Sequence, residues 1–386
     1  MKQILHFSGL NGLRAIAALS VLFSHTTRGL SSFGLNSYIF GVSSNGNPKT
    51  TLLAGFGVSI FFALSGFLIT YLLLEEKRTQ EISIKNFYMR RILRIWPLYY
   101  SYFIACLLTM FLFHLPFEKL SLLFYIFLSA NVPFIFGGVL NFLGHYWSLG
   151  VEEQFYSFWP WIIKKSGTIL KTTLVICISL MCLKCIVRFI DIGIHAGKES
   201  LLYEAIQVTR FQCMLIGAIG AILYFQKNKL FLIITNNVIT QTVSWFVILL
   251  VAINKFHIVS FLDNEFISVI TLFLIMGQIQ KDNRIVNLDT SFFNFIGKIS
   301  FGIYVIHPLL IFYLSKLFIF SNKTALLNYL FVYFIVFFVT ILLAYLSYEF
   351  FEKKFLKLKE KYTTINTSAE SIKDTEHVTI IQPAKR

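Results

Sequence analysis

The sequence predicts an all-α integral membrane protein, built as a bundle of about ten transmembrane helices. Of the 386 residues, 56% are hydrophobic and only 14% are charged, and the mean hydropathy is +0.70. Soluble domains carry about 25% charged residues. Apolar runs of membrane-spanning length recur along nearly the whole chain. We therefore expect one integral membrane domain and not a soluble enzyme with an anchor.

Ten apolar segments are candidate spans. In chain order they are residues 9–28, 52–74, 95–114, 146–163, 168–190, 207–225, 230–253, 258–280, 293–320 and 326–350. An eleventh apolar segment, 119–136, is ambiguous. If it crosses fully, Lys164 and Lys165 fall outside the cell and every later basic loop inverts.

If residues 119–136 dip in and return, all the basic clusters between spans lie in the cytoplasm, as the positive-inside rule favours. The clusters are residues 75–94, Lys164 with Lys165, Lys227 with Lys229, Lys281 with Arg284 and Lys298, and residues 353–361. We therefore predict a re-entrant segment at 119–136 and both termini in the cytoplasm.

The net charge of +15 follows the same loops, so we reject nucleic-acid binding. We divide the chain into a membrane-embedded domain, 1–352, and a basic, then polar, disordered cytoplasmic tail, 353–386. Cys182 and Cys185 form a C-x-x-C without a second ligand pair, so buried free thiols are expected there. Neither a metal-spaced His/Asp set nor a glycine-rich phosphate loop is visible, so we expect no metal and no permanently bound cofactor.

Arg14 and His25 lie eleven positions apart in the first apolar span. On an α-helix they share one face and lie about 16 Å apart along the axis. Ionisable residues in a membrane helix are costly, so they indicate function by default. The alternative is an arginine that snorkels to the interface and a structural histidine. Burial favours the neutral imidazole that a general base requires.

Three arginines, Arg90, Arg91 and Arg94, lie where the first basic loop enters the third span. Arg91 and Arg94 are at i and i+3, so their side chains point the same way if the segment is helical. Two guanidinium groups on one face can clamp a phosphate or a carboxylate. The alternative is an ordinary basic cluster that contacts lipid headgroups.

Glu152 and Glu153 follow Trp147 and Ser148 where the fourth span begins. Adjacent carboxylates at a membrane entry are costly unless they have partners. On the predicted topology they lie on the same side as His25, where a carboxylate can orient an imidazole or bind sugar hydroxyls. The alternative is an interfacial belt of solvated acids.

Ser300, Tyr304 and His307 recur at i, i+4 and i+7 and so share one helical face. His307 precedes Pro308, which frees a backbone carbonyl. Donors on this face are candidates for stabilising an oxyanion. The alternative is a polar packing stripe between helices.

Together these segments resemble the acyltransferase-3 family of bacterial membrane O-acyltransferases, over about residues 8–350. Each motif is loose, but five in the right order are specific. The motifs are Gly12-Leu-Arg14 with His25, Phe61-Phe-Ala-Leu-Ser65-Gly66-Phe67, Arg90-Arg91-x-x-Arg94-Ile-x-Pro97, Trp147-Ser148-Leu with Glu152-Glu153-Gln154-Phe155-Tyr156, and Ser300-x-Gly302-x-Tyr304-x-x-His307-Pro308.

The resemblance implies a multi-pass protein of the bacterial inner membrane. Such proteins move an acyl group from cytoplasmic acyl-CoA to a hydroxyl of an extracytoplasmic glycan, such as an O-antigen, exopolysaccharide or peptidoglycan sugar. Acetyl-CoA is the expected co-substrate, and a glycan or lipid-linked sugar is the expected acceptor. By resemblance, His25 is the catalytic base, Arg14 is essential nearby, and Arg91 and Arg94 belong to the acyl-donor motif, with Arg90 as support.

The candidate catalytic residues are Arg14, His25, Glu152, Glu153, Tyr304 and His307. Some family members carry an added SGNH hydrolase-like domain, and we expect a stand-alone member without one. The resemblance leaves the acyl group and the acceptor open. The other class of function is a transporter of an acyl donor or lipid-linked sugar, which predicts internal repeats. No repeat is visible in the sequence.

Overall fold

A computed structural model describes residues 3–5, 7–43, 46–194, 199–321, 325–363, 365–367 and 380–381. Every described element between Leu10 and Glu352 is a helix, which confirms the all-α prediction for the bundle. The helices are α1 Leu10–Gly29, α2 Thr51–Thr79, α3 Ile84–Leu112, α4 Lys119–Ile126, α5 Asn131–Phe136, α6 Trp147–Lys165, α7 Ile169–Gly193, α8 Leu201–Thr209, α9 Phe211–Phe225, α10 Lys229–Thr235, α11 Val238–Ala252, α12 Asp263–Gln280, α13 Ser291–Lys298, α14 Ser300–Leu317, α15 Leu326–Ser347 and α16 Lys353–Lys359.

Judged by their length and composition, fewer described helices can cross a membrane than the sequence predicts. Six described helices are long and apolar enough to cross, or seven if the bent pair α10 and α11 forms one span with a 55° bend. Helices α1, α6 and α12 fall outside this set because their polar residues lower the mean hydropathy. The predicted count of about ten is therefore not confirmed.

The basic loops meet at one end of the bundle, which we call the basic end. Lys77 Nζ donates to Ile163 O at 2.7 Å, and Lys164 Nζ donates to Ile82 O at 3.1 Å. Arg90 Nη1 donates to Tyr362 O at 2.9 Å. The ends of α2 and α6 and the start of α3 therefore lie together with the segment that follows α16.

The segment 119–136 forms two short helices, α4 and α5, of eight and six residues, too short to cross a bilayer. Asn131 and Gln154 exchange two side-chain amide hydrogen bonds, at 2.9 and 3.2 Å. Gly150 permits this close approach, since a Cβ there would lie 2.9 Å from Asn131 Oδ1. Because Gln154 is seven residues inside α6, the segment reaches into the bundle, as expected of a re-entrant segment.

Small residues allow α2 and α9 to pack backbone against backbone. A Cβ added at Gly66 would lie 1.9 Å from Met214 O, and one added at Gly217 would lie 2.0 Å from Ala63 O. The Ser65-Gly66-Phe67 motif therefore has a packing function at its glycine. This contact fixes the helix that carries Phe61 and Ser65.

The two ends of the chain meet in a small parallel sheet outside the helical bundle. Strand β1 Gln3–Leu5 pairs with β2 Ile365–Thr367 on one side and with β3 Ile380–Ile381 on the other. Residues 364, 368–379 and 382–386 of the predicted tail lie outside the described residues. The disordered tail therefore stays a prediction for most of its length.

A charged cluster lies within the bundle, made of Lys184 on α7, Gln212 on α9 and Glu265 on α12. Lys184 is fully buried, and its Nζ donates to Glu265 Oε1 at 2.5 Å. Gln212 Nε2 donates to the same oxygen at 2.7 Å. The cluster therefore joins three helices through one carboxylate oxygen. The other oxygen of Glu265 is buried without a described hydrogen-bond partner.

Candidate active site

Two histidines that are 282 residues apart in the sequence form a direct hydrogen bond between α1 and α14. His25 Nδ1 lies 2.7 Å from His307 Nε2. The second nitrogen of His307, Nδ1, lies 2.9 Å from Ile303 O, one turn back on its own helix. His307 is fully buried, whereas His25 is partly exposed. The predicted base is thus more exposed than its partner.

Ile303 O, the acceptor at the end of this series of hydrogen bonds, determines which ring nitrogens carry a hydrogen. A carbonyl oxygen can only accept, so His307 carries its hydrogen on Nδ1. In the neutral form its Nε2 then has a lone pair, which accepts the hydrogen on His25 Nδ1. His25 is left with a lone pair on Nε2. Because burial disfavours charge on these rings, the arrangement gives His25 the tautomer that a general base requires.

His145, in the turn before α6, brings a third imidazole to this pair. Its ring centroid is 5.4 Å from that of His307 and 5.3 Å from that of Tyr304. His145 Nε2 lies 3.1 Å from Val305 O. Pro308, inside α14, has no N–H to donate within the helix. The next residue, Leu309, donates its backbone N–H to Tyr102 Oη at 3.2 Å. We call His25, His145 and His307 the histidine cluster.

Ser148 and Tyr304 form a hydroxyl pair beside the histidine cluster, with their oxygens 2.5 Å apart. Tyr304 Oη lies 2.7 Å and Ser148 Oγ 3.3 Å from the same acceptor, His145 O. Two hydroxyl hydrogens therefore serve one hydrogen bond within the pair and one to the carbonyl. In this arrangement neither hydroxyl has a hydrogen left for an oxyanion.

A cavity of about 110 Å³, which we call the basic cavity, has the hydroxyl pair in its lining. The lining combines charged and polar side chains with apolar ones. The lining residues are Arg14, Val58, Phe61, Phe62, Ser65, Leu68, Ile69, Leu72, Arg91, Arg94, Ile95, Ser148, Leu149, Glu152, Tyr156, Ser300, Phe301 and Tyr304.

The three predicted donor-binding arginines separate into two groups. Arg91 and Arg94 line the basic cavity together with Arg14. Arg90 points elsewhere, because its Nη2 binds Glu76 Oε2 at 2.8 Å and its Nη1 donates to Tyr362 O. Arg90 thus holds the C-terminal segment against α3, and its supporting role in donor binding stays a prediction.

The two predicted carboxylates also have different surroundings. Glu152 lines the basic cavity and accepts a hydrogen bond from Ser65 Oγ at 2.9 Å. Glu153 Oε2 lies 3.5 Å from Trp96 Nε1. No described hydrogen bond joins either carboxylate to His25. The structure instead gives His307 to the predicted base as its orienting partner, and the catalytic roles of Glu152 and Glu153 stay predictions.

Sequence reasoning placed Arg14, Arg91, Arg94, Glu152 and Tyr304 in a site, and all five line one cavity. It placed His25 and His307 in separate roles, although the two rings are in contact. It gave no role to His145, which lies two residues before the motif that begins at Trp147 and Ser148. The available signal was a histidine entering an apolar span within a few residues of a carboxylate pair.

Comparison with known proteins finds similarity over most of the chain. A family model described as an acyltransferase domain matches residues 7–349. OatA, an O-acetyltransferase of Staphylococcus aureus strain NCTC 8325, is 27% identical over 381 residues. The alignment covers 90% of this chain and 57% of OatA.

A second relative, from Staphylococcus aureus strain COL, is provisionally named as an O-acetyltransferase and is 29% identical over 388 residues. The alignment covers 92% of this chain and 58% of that relative. The chain thus spans somewhat more than half the length of these curated relatives. No solved structure matches it.

Proposed function

This chain belongs to the acyltransferase-3 family, and from that membership we propose that it is a membrane O-acyltransferase. The donor is acyl-CoA from the cytoplasm, with acetyl as the expected acyl group. The acceptor is a hydroxyl of an extracytoplasmic glycan or lipid-linked sugar. One observation carries the proposal: the hydrogen bond from His25 to His307 leaves a basic nitrogen on a partly exposed imidazole. Tyr304, on the same helix as His307, lines the basic cavity.

The basic cavity supports a donor with phosphates and a long neutral arm. Arg91 and Arg94 present guanidinium groups that suit phosphate, and Arg14 adds a third positive charge. We place the acyl-CoA phosphates near these arginines, at the basic end. The pantetheine arm then runs along the apolar wall formed by Phe61 and Phe62, towards Tyr304. The basic end faces the cytoplasm in this proposal, in agreement with the positive-inside rule.

In the transfer step, His25 Nε2 takes the proton of the acceptor hydroxyl as its oxygen forms a bond to the thioester carbon. The carbon–sulfur bond then breaks, and the proton passes from His25 to the departing thiolate. The products are an O-acyl ester and free CoA. His307 orients the ring of His25 throughout, because its Nε2 accepts a hydrogen bond from the Nδ1–H of His25.

Ser148 and Tyr304 both line the basic cavity and lie within hydrogen-bond distance of His145 O. In this proposal the helices that carry the hydroxyl pair shift, with the pair intact, as the thioester approaches His25. This places a gate between the cytoplasmic donor and the acceptor side. Such closure keeps water from the thioester until the acceptor is bound.

The test is acyl transfer by the purified chain, with labelled acetyl-CoA and fragments of O-antigen, exopolysaccharide and peptidoglycan as acceptors. We expect transfer by the wild type and a loss of about 10²- to 10⁴-fold in His25→Ala, the usual contribution of a general base. His257→Gln, a change at an exposed histidine bound to Asp263, is the matched control and should keep full activity.

A folded, membrane-inserted His25→Ala protein with full transfer activity would contradict this mechanism. Movement of labelled donor across a vesicle membrane without ester formation would support a transporter instead. Mass spectrometry of surface polysaccharide from cells with and without the gene would identify the acyl group and the acceptor.

A further inference from the structure

His145 has a nitrogen that the mechanism above does not use. The side chain is 5% exposed, and its Nδ1 atom is buried with no described hydrogen-bond partner. The other nitrogen, Nε2, lies 3.1 Å from Val305 O, a carbonyl that can only accept. The hydrogen of the neutral ring therefore lies on Nε2, and Nδ1 carries a lone pair.

An unpaired acceptor of this kind is costly in a buried site, so its persistence calls for an explanation. The backbone around His145 leaves little freedom for the ring to turn. Its carbonyl accepts from the hydroxyl pair, and its Nε2 is fixed by Val305. The lone pair is thus held on a ring whose centroid lies 5.4 Å from that of His307 and 5.3 Å from that of Tyr304, a residue that lines the basic cavity.

Resting on the proposed function, we infer that His145 Nδ1 accepts a hydrogen bond from a substrate during acyl transfer. The partner is an N–H or O–H group, since a lone pair needs a donor. Two sources in the proposed reaction supply one: the amide N–H of the pantetheine arm near the thioester, and a hydroxyl of the acceptor other than the one that reacts. His145 would therefore be a substrate-binding residue beside the base.

Two substitutions separate the nitrogens of His145. In His145→Asn the side-chain amide lies at the position of Nδ1, so its oxygen can replace the lone pair, while the bond to Val305 is lost. In His145→Gln the amide reaches the position of Nε2, so the N–H to Val305 can remain, while the acceptor at Nδ1 is lost. His145→Leu removes both groups.

The experiment measures kcat and KM for labelled acetyl-CoA and for the acceptor fragments, in the wild type and the three variants. We expect kcat/KM to fall about 10- to 100-fold in His145→Gln and His145→Leu, as for a buried donor left unpaired. His145→Asn should stay within about fivefold of the wild type. A rise in KM for acetyl-CoA alone identifies the pantetheine amide, and a rise for the acceptor alone identifies the hydroxyl.

The reverse order of the variants would overturn the inference. If His145→Gln is as active as the wild type and His145→Asn is impaired, His145 acts only through its bond to Val305. If the wild type itself transfers no acyl group, the proposed function fails and this inference with it. An active wild type with an unaffected His145→Gln overturns the inference alone.

Discussion

The bundle contains two buried polar clusters, one held by an ion pair and the other by hydrogen bonds of imidazole rings. The charged cluster satisfies Lys184 through the carboxylate of Glu265, and three helices are joined by it. The histidine cluster contains three rings that need no charge, and two of them are anchored to the backbone carbonyls of Ile303 and Val305. In the charged cluster, moving a proton on or off Lys184 or Glu265 would break the ion pair, so one protonation state is favoured. The histidine cluster can gain and lose a proton at one ring without separating an ion pair.

This difference indicates where the chemistry lies. Removing one partner of a buried ion pair strongly destabilises the protein. The intact pair nevertheless contributes little net stability compared with apolar residues of the same size. Neutral imidazoles with fixed tautomers are suited to proton transfer near neutral pH. We therefore assign structure to the charged cluster and reaction to the histidine cluster. Three experiments can break or sharpen this contrast.

The largest effect is expected from breaking the ion pair. Lys184→Met leaves the Glu265 carboxylate buried without its cation. The free energy of unfolding should fall by about 3–5 kcal/mol. Reversible unfolding by SDS in mixed micelles measures the change. Transfer activity per folded molecule should stay unchanged.

The control is the double variant Lys184→Met/Glu265→Leu, which removes both charges. It should recover most of the lost stability, because no charge is left unpaired. A stable Lys184→Met protein without transfer activity would contradict the contrast, since it would give the charged cluster a direct part in the reaction.

A smaller effect, on the reaction only, is expected at His307. His307→Leu removes the acceptor for His25 Nδ1–H, so the ring loses both its orientation and its fixed tautomer. We expect kcat to fall about 10- to 100-fold, which corresponds to about 1–3 kcal/mol for one buried hydrogen bond.

His307→Gln is the matched variant at this position, because its amide oxygen can accept from His25 at the site of Nε2. It should restore most of the activity. Equal losses in His307→Leu and His307→Gln would show that the imidazole of His307 does more than orient its neighbour, for example by carrying the proton itself.

The smallest effect is expected from Tyr304→Phe. The hydroxyl hydrogens of the hydroxyl pair are already engaged, and Ser148 keeps His145 O as an acceptor 3.3 Å away. Stability should fall by about 1 kcal/mol, and kcat should change by less than about fivefold, within the spread of a single hydrogen bond. A hundredfold loss of kcat would instead support the oxyanion role that the sequence suggested, because Tyr304 would then have to leave the pair.

The sequence predicted the fold class and much of the basic cavity, because both depend on local patterns. Apolar runs predict membrane helices wherever they occur. Arg91 and Arg94 share a face through their spacing alone. The number of spans was harder to predict, because α1 and α6 carry the polar residues of the site, and these residues weaken the hydropathy signal.

The partner of His25 could not be predicted in the same way. A carboxylate is the usual partner of a catalytic imidazole, so Glu152 and Glu153 were natural candidates. The actual partner, His307, depends on how α1 and α14 pack, a contact across 282 residues of chain. The bond between His145 and Val305 is also a tertiary contact, next to the turn that Pro308 interrupts.

The carbonyl ends of these hydrogen bonds have a consequence for the cell's energy supply. A polar track through a membrane protein risks conducting protons and short-circuiting the proton-motive force. A backbone carbonyl accepts a hydrogen bond but has no proton to pass on. The chain from His25 ends at Ile303 O, and the hydroxyl pair ends at His145 O. Among the described residues, these hydrogen bonds of the histidine cluster thus end on groups that have no proton to pass onward.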